Sequence, residues 1–155
     1  MKHLFQRIKT ALLKRIYRKN AADLQNVIAV SATAPGCWIL TQNPFYDNPA
    51  SYTDFGRSLV DIAAPGGDYV CEEGYPYDMV LSTCPGPSYF FAAGTSMASP
   101  HVAGVAALII AKNGGEMKPA EVAQKLFNTA DKIDGNGASL YYGKGRVNAF
   151  RAVTE

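Results

Sequence analysis

A chain of 155 residues with 48% hydrophobic and 18% charged side chains is typical of one globular domain with a buried core. No apolar run is long enough for a transmembrane helix, and no cysteine or histidine spacing of a zinc site occurs. The net charge of +2 is unevenly distributed, since residues 1–20 carry seven basic and no acidic side chains. Residues 21–155 carry eight basic and thirteen acidic ones, a net charge of −5 that separates them from the first segment.

The first segment has the pattern of a basic amphipathic helix. Residues 2–19 carry apolar side chains at every fourth position, namely Leu4, Ile8, Leu12 and Ile16. One interpretation is contact with an anionic membrane surface, and another is an ordinary surface helix packed on the domain. Lys14 and Arg15 interrupt the apolar run, so the pattern does not support a signal peptide, and the cellular location is left open.

Two buried strands are expected next. Residues 27–33 form a short apolar, β-branched run that is typical of a buried parallel strand. Residues 37–57 read mainly as loop, with a brief edge strand over 50–55. A second strand is expected over residues 59–64, because the glycines after Pro65 end it.

A long loop and a central helix follow. Residues 68–87 read as loop with a short strand over 80–82, and residues 89–93 lead into a turn at Gly94. Apolar positions then repeat with helical spacing as far as Ala111. Because the opposite face is also apolar or small, we expect this helix to be buried on all sides, with Thr95 or Ser96 capping its first turn.

The C-terminal part predicts two more helices. Residues 117–130 have helical periodicity with Pro119 in the first turn, residues 134–137 read as a turn, and residues 147–153 suggest a short closing helix. Strands that alternate with helices indicate an α/β domain.

The three cysteines leave at least one thiol unpaired. Cys71 and Cys84 flank one loop, so a local disulfide between them is one reading, and three reduced thiols are the other. Cys37 has no partner in either reading.

The start of the central helix carries the main chemical feature. Ser96 lies where backbone N–H groups point at an incoming oxyanion and where the helix dipole favours negative charge. A serine at this position is also the ordinary choice for a helix cap, and spacing alone does not separate the two roles.

The residues around Ser96 carry a resemblance that favours the catalytic role. Residues 94–104 read Gly-Thr-Ser-Met-Ala-Ser-Pro-His-Val-Ala-Gly, which resembles the nucleophile motif of subtilisin-like serine proteases. Residues 27–32, 61–66 and 141–148 resemble three further segments of that family in the same order. The resemblance covers residues 21–155, the C-terminal half of the family's catalytic domain. It implies part of a subtilisin-like three-layer α/β sandwich around a mainly parallel sheet, with residues 1–20 outside the match.

The resemblance carries over one member of the catalytic triad, Ser96 as nucleophile, whose backbone N–H supplies part of an oxyanion hole. The family's His-Gly-Thr, Asp-Thr/Ser-Gly and Ala-Gly-Asn settings do not occur. His3 has no such motif around it. His101 follows Ser96 by five residues, about 140° around the helix and roughly 7.5 Å along it, so it faces away.

The remaining site residues are implied by the same resemblance. Ala92, Ala93, Gly94 and Thr95 are expected to line one side of a peptide-binding pocket. Asp61 is a candidate ligand for a weakly held calcium or sodium ion, although an aspartate ending a strand is more often a hydrogen-bond acceptor. No cofactor is required, and we expect no nucleic-acid partner.

Three hypotheses about function follow. The chain is a serine endopeptidase by descent that lacks the triad aspartate and histidine and acts only if they are supplied. Alternatively, it is a non-catalytic protein that binds a membrane surface or a partner. Under the third hypothesis it is an unstable remnant of a truncated or frame-shifted gene, whose strands lack their neighbours.

Overall fold

The computed structural model describes residues 26–42, 45–71, 75–135 and 139–155. The predicted helix over residues 2–19 and the boundary after residue 20 lie outside these described residues. The turn predicted over residues 134–137 is described only in its first half.

The centre of the fold is a small mixed sheet. Its strands are ordered β2-β1-β3, where β1 is Val30–Ala34, β2 is Asn48–Pro49 and β3 is Ile62–Pro65. Strands β1 and β3 are parallel, with Val30 opposite Ile62, whereas β2 pairs antiparallel with the end of β1. The α/β class predicted from the sequence is therefore confirmed.

A hairpin and four helices complete the described part. In chain order they are α1 (Trp38–Thr41), β4 (Val80–Cys84), β5 (Ser88–Ala92), α2 (Thr95–Lys112), α3 (Pro119–Asn128) and α4 (Ala149–Thr154). Strands β4 and β5 pair only with each other in the described ranges, as an antiparallel ribbon. Among the helices of those same ranges, none is long and apolar enough to cross a membrane.

The core lies between the sheet and α2. Alternate strand positions, such as Ala32, Ile62 and Ala64, face buried helix positions, among them Val102 and Ile109. Because the strand alanines are small, the helix backbone approaches the sheet closely. Helices α3 and α4 also contact α2, so this helix is the element on which the described fold is assembled.

Helix α2 is not buried on all sides, which corrects the sequence prediction. Ala98, Val102, Val105 and Ile109 are buried against the sheet and its neighbours, but the residues Ala103, Gly104, Ala107 and Leu108 are exposed. Leu108 keeps 50% of its surface exposed. The apolar pattern predicted burial correctly for one face, and the described residues provide no element that covers the other.

The strand predicted over residues 50–55 is wrong. The carboxylate of Asp68 accepts hydrogen bonds from the backbone N–H and hydroxyl of Ser51, at 2.6 and 2.9 Å. These bonds hold residues 51–52 in a turn and leave only the two-residue strand β2 before it. The next strand begins at Ile62, later than expected, because the N–H groups of Leu59 and Val60 close a turn on the carbonyl of Gly56.

The cysteines follow neither of the two readings, the local Cys71–Cys84 bridge or three reduced thiols. Cys37 and Cys71 form the disulfide, with their Cα atoms 5.5 Å apart, and Cys84 has a free thiol. The bridge joins the start of α1 to the loop after β3, a pairing set by tertiary proximity across 34 residues of sequence. The backbone N–H of Cys37 also donates to the buried Asp78 carboxylate at 2.5 Å.

Ion pairs and hydrogen bonds position the segment before α4. Arg146 donates to Asp47 at 2.7 Å and to Asp131 at 2.6 Å, and Asn148 donates to Asp131 as well. Asn148 also caps α4 by accepting from the N–H of Arg151. This network holds the C-terminal segment along β3, where the backbones of Arg146 and Ala63 form an isolated parallel β-bridge.

Candidate active site

Ser96 lies in the first turn of α2 and is exposed. The N-cap residue is Gly94, whose backbone is extended, and no side chain caps this helix end. The expectation that Thr95 or Ser96 caps the turn is therefore wrong. Instead, the carbonyl of Gly94 accepts from the N–H of Met97 at 2.9 Å. The hydroxyl of Ser96 makes no capping hydrogen bond within the described residues.

The helix end presents unpaired donors beside that hydroxyl. The backbone N–H of Ser96 has no hydrogen-bond partner among the described residues. The 18 residues of α2 align their peptide dipoles with the positive end at this turn. An oxyanion that forms next to Ser96 would meet a donor and a favourable potential together.

The position of this turn is fixed by the end of β3. The N–H of Gly94 donates to the carbonyl of Gly66 at 2.9 Å. A Cβ atom on Gly66 would lie 2.5 Å from the Cβ of Ala32 and 2.9 Å from the carbonyl oxygen of Gly94. Only glycine permits this approach, so the motif Pro65-Gly66 is as much a part of the site's construction as the serine turn.

Tyr52 supports the same junction, and sequence reasoning missed it. Its hydroxyl lies 2.6 Å from the carbonyl of Gly67 and 3.1 Å from that of Gly66, and it serves them as donor. Its ring stacks on Tyr69. Burial of the hydroxyl and the negative charge of Asp68 raise the pKa of Tyr52 to about 12, which keeps the hydroxyl a donor. The sequence signal was weak, because a tyrosine in a predicted strand has no distinguishing spacing.

Ser96 opens onto a shallow cleft of about 600 Å³. The cleft is lined by Ile28, Val30, Thr95, Ser96, Ser99 and Pro100. Of the four residues expected to line a peptide pocket, Thr95 borders this cleft. Ala92 at the end of β5 and Ala93 and Gly94 in the connection to α2 are half-buried and do not line the cleft. Their role in binding peptide stays a prediction.

His101 is directed away from the nucleophile. Its Nδ1 lies 2.7 Å from the carbonyl oxygen of Met97, one turn back on α2. A carbonyl oxygen only accepts, so the ring donates there. This geometry agrees with the rotation calculated from the sequence, and it leaves no imidazole next to Ser96 in the described ranges. His3 lies outside them.

Asp61 acts as a hydrogen-bond acceptor in the structure. Its carboxylate accepts from the N–H of Ala29 at 2.8 Å and so joins the start of β3 to the residues before β1. Calcium takes six to eight oxygen ligands, and within the described residues no three His, Cys, Asp or Glu side chains cluster as a metal site would require. A cation at Asp61 stays a prediction.

The sequence comparison assigns the family. The sequence model of the Subtilase family, Peptidase S8, matches residues 14–145. The chain belongs to the subtilase family. The resemblance seen in the serine motif is thus confirmed.

Two relatives show how much of a longer protein this chain matches. Thermitase from Thermoactinomyces vulgaris is 41% identical over 132 residues, which cover 85% of this chain and 38% of thermitase. The thermophilic serine proteinase of Bacillus sp. strain AK1 is 39% identical over 133 residues, 86% of this chain and 26% of that protein. This subtilase chain therefore spans about a quarter to two fifths of the length of such relatives.

Solved structures of proteases superpose on this chain. The epidermin leader peptide processing serine protease of Staphylococcus aureus superposes with a TM-score of 0.68 at 29% identity, over 86% of this chain and 31% of that one. Fervidolysin from Fervidobacterium pennivorans superposes with a TM-score of 0.69 at 26% identity, over 89% of this chain and 20% of that one. The partial subtilisin-like fold is thus confirmed, and this subtilase chain corresponds to a minor part of each of these structures.

Proposed function

We propose that this chain is the nucleophile-bearing part of a subtilisin-like serine endopeptidase. One observation supports the proposal above all: Ser96 is exposed in an open cleft, at a helix start where no side chain caps the backbone donors. A serine that served only as a cap would use its hydroxyl on that backbone. The family's activity and the peptide substrates are inferred for this chain from that arrangement.

The proposed function needs a base that the chain does not place beside Ser96. A serine hydroxyl is a weak nucleophile until an adjacent base accepts its proton. His101 is bonded back to Met97, and the family's histidine and aspartate motifs are absent from the sequence. We infer that a complementary part of a subtilase catalytic domain supplies both groups, either as further sequence of a longer protein or as a separate chain.

The proposed reaction combines Ser96 with the histidine that the complementary part supplies. The Oγ of Ser96 bonds to the carbonyl carbon of a peptide while the supplied histidine takes the hydroxyl proton. The carbonyl oxygen becomes an oxyanion that accepts from the N–H of Ser96. The amine leaves with the proton from the histidine. Water then attacks the resulting ester as it gives a proton to the same base, and the base returns that proton to the Ser96 oxygen when the acid is released. Without the base, the first step lacks its proton acceptor.

The test is complementation. The part of thermitase that this chain does not match is co-purified with the full chain, and hydrolysis of a fluorogenic peptide is measured. We expect hydrolysis from the mixture and none above background from either part. Ser96→Ala should abolish it, whereas the control Ser99→Ala, in the same cleft, should retain most of it. A stable complex without hydrolysis, or equal activity in Ser96→Ala, would contradict the proposal.

A further inference from the structure

A buried carboxylate lies beside the junction of β3 and the serine turn. Asp68 keeps only 5% of its surface exposed. Its oxygens accept from the backbone N–H of Ser51 at 2.6 Å, from the hydroxyl of Ser51 at 2.9 Å and from the N–H of Tyr69 at 2.7 Å. Among the described residues no Lys or Arg side chain pairs with it. A buried charge without a cation is costly unless hydrogen bonds compensate it, and here three donors do so.

We propose that Asp68 is a positioning residue for Ser96: its carboxylate fixes Tyr52, and Tyr52 fixes the backbone to which the serine turn is bonded. This role rests on the proposed function, in which Ser96 is the nucleophile. Ser51 precedes Tyr52 in the chain, and the ring of Tyr69 stacks on that of Tyr52 with the centroids 5.7 Å apart. One carboxylate therefore restrains Tyr52 through its chain neighbour and through its ring neighbour.

The phenol of Tyr52 passes this restraint to the end of β3. Its hydroxyl lies 2.6 Å from the carbonyl oxygen of Gly67 and 3.1 Å from that of Gly66. The Gly66 carbonyl also accepts from the N–H of Gly94 at 2.9 Å, so the phenol and the serine turn share one acceptor. Gly94 is the N-cap of α2 and stands two residues before Ser96. A displaced Tyr52 would therefore loosen the bond on which the position of Ser96 depends.

The loop that carries Asp68 is itself anchored. The N–H of Asp68 donates to the carbonyl of Asp78 at 2.9 Å, and the carboxylate of Asp78 accepts from the N–H of Cys37 at 2.5 Å. Cys71, three residues after Asp68, is joined to the same Cys37 by the disulfide. The carboxylate of Asp68 is thus held in place from both sides of its loop, as a group that positions a site must be.

The charge of Asp68 also reaches the phenol. Burial is the main cause that raises the pKa of Tyr52 to about 12, and the negative charge of Asp68 adds to the rise. Asp68→Asn should therefore lower the pKa of Tyr52 in a titration of phenolate absorbance. An unchanged titration would show that the carboxylate does not face the phenol and would contradict the first step of the proposal.

Amide hydrogen exchange in the full chain tests the positioning without requiring catalysis. The amide of Gly94 is followed by NMR relative to that of Asp61, which donates to the carbonyl of Ala29 before β3. We expect Asp68→Ala to accelerate exchange at Gly94 about tenfold relative to Asp61, the effect of weakening one hydrogen bond. Asp68→Asn, which keeps one acceptor oxygen, should restore part of the protection.

Asp131→Asn is the matched control, because it alters a carboxylate that is bonded elsewhere, to Arg146 and Asn148. It should not accelerate Gly94 relative to Asp61. If Asp68→Ala fails to fold, Ser51→Ala removes only one hydroxyl donor and should give a smaller change in the same direction. Unchanged relative exchange at Gly94 in the folded variants would overturn the proposal.

The complemented enzyme supplies the catalytic readout. In the mixture with the unmatched part of thermitase, Asp68→Ala should lower kcat about tenfold and leave KM nearly unchanged, because the serine turn shifts while the peptide-binding part stays intact. Absence of hydrolysis in the complemented wild type would count against the proposed function, and the exchange data would still decide whether Asp68 holds the turn. Faster exchange at Gly94 with an unchanged kcat would assign Asp68 to stability alone and overturn its positioning role.

Discussion

The backbone N–H of Gly94 donates to the carbonyl of Gly66 at 2.9 Å, and this bond ties the serine helix to the sheet. Gly66 follows β3 directly and Gly94 precedes α2 directly. This one hydrogen bond therefore fixes the position of the start of α2 relative to the end of β3. The exposed Ser96 hydroxyl is thus placed by backbone geometry, two residues beyond that contact.

Gly66→Ala should destabilise the fold. The added Cβ would meet Ala32 at 2.5 Å and the Gly94 carbonyl at 2.9 Å, neither of which is a flexible side-chain end. We expect a loss of about 1–3 kcal/mol in the free energy of unfolding, measured by urea denaturation. Gly104→Ala is the matched control, because nothing lies within 4 Å of its added Cβ and alanine favours helix. Equal stability of the two variants would refute the packing argument.

Tyr52→Phe should weaken the same junction by about 1 kcal/mol, because the carbonyls of Gly66 and Gly67 lose a donor. The folded-state pKa of Tyr52 is raised to about 12, above the ordinary value near 10. Its contribution is therefore complete below pH 10 and is lost as the pH rises toward 12. Alkaline titration of phenolate absorbance checks this, with the exposed Tyr89→Phe as control. Tyr142, whose pKa is also raised to about 12, should still titrate late in Tyr52→Phe, so that variant should lose one late-titrating tyrosine and an unchanged number would contradict the prediction.

Asp131 should make the protein sensitive to acid. Partial burial raises its pKa, but hydrogen bonds from Arg146 and Asn148 outweigh that effect and lower the pKa below its ordinary value. The stabilisation is present above pH 4 and is lost as the pH falls through the lowered pKa. Asp131→Asn should cost about 1 kcal/mol at pH 7, a difference that shrinks in acid. The exposed Asp54→Asn should cost almost nothing at either pH. A penalty for Asp131→Asn that stayed constant with pH would contradict the ion pair.

The Cys37–Cys71 disulfide should stabilise the fold substantially. For a separation of 34 residues, loop-closure entropy predicts about 3–4 kcal/mol. Cys37→Ala should lower the unfolding midpoint and make it insensitive to reductant, whereas Cys84→Ala should leave wild-type stability and reductant sensitivity. If Cys84→Ala removed the sensitivity instead, the pairing would be Cys71 with Cys84.

Sequence patterns located the helices and the serine turn because these features are local. Both the helical repeat of apolar residues along α2 and the position of Pro119 at the start of α3 can be recognised from neighbouring residues alone. The exposed face around Leu108 was not predicted, since an apolar pattern shows that a surface requires a partner and not whether one is present.

Tertiary proximity explains the features that sequence missed. The Cys37–Cys71 pairing and the Tyr52 contact with Gly67 join residues that are distant in sequence, and no local spacing marks them. The absence of the predicted side-chain cap near Ser96 has a similar cause. The N–H of Gly94 bonds to the carbonyl of Gly66 and not to a side chain of its own turn. In each case a long-range contact overrode a local preference.

Fluorophosphonate labelling tests most directly whether Ser96 becomes a reactive nucleophile when a base is supplied. The full chain and Ser96→Ala are treated with the probe, each alone and together with the complementary part of thermitase. We predict labelling of wild type only in the complemented sample and none in Ser96→Ala. Strong labelling of the isolated chain that vanishes in Ser96→Ala would show that a base is already present and would contradict the account.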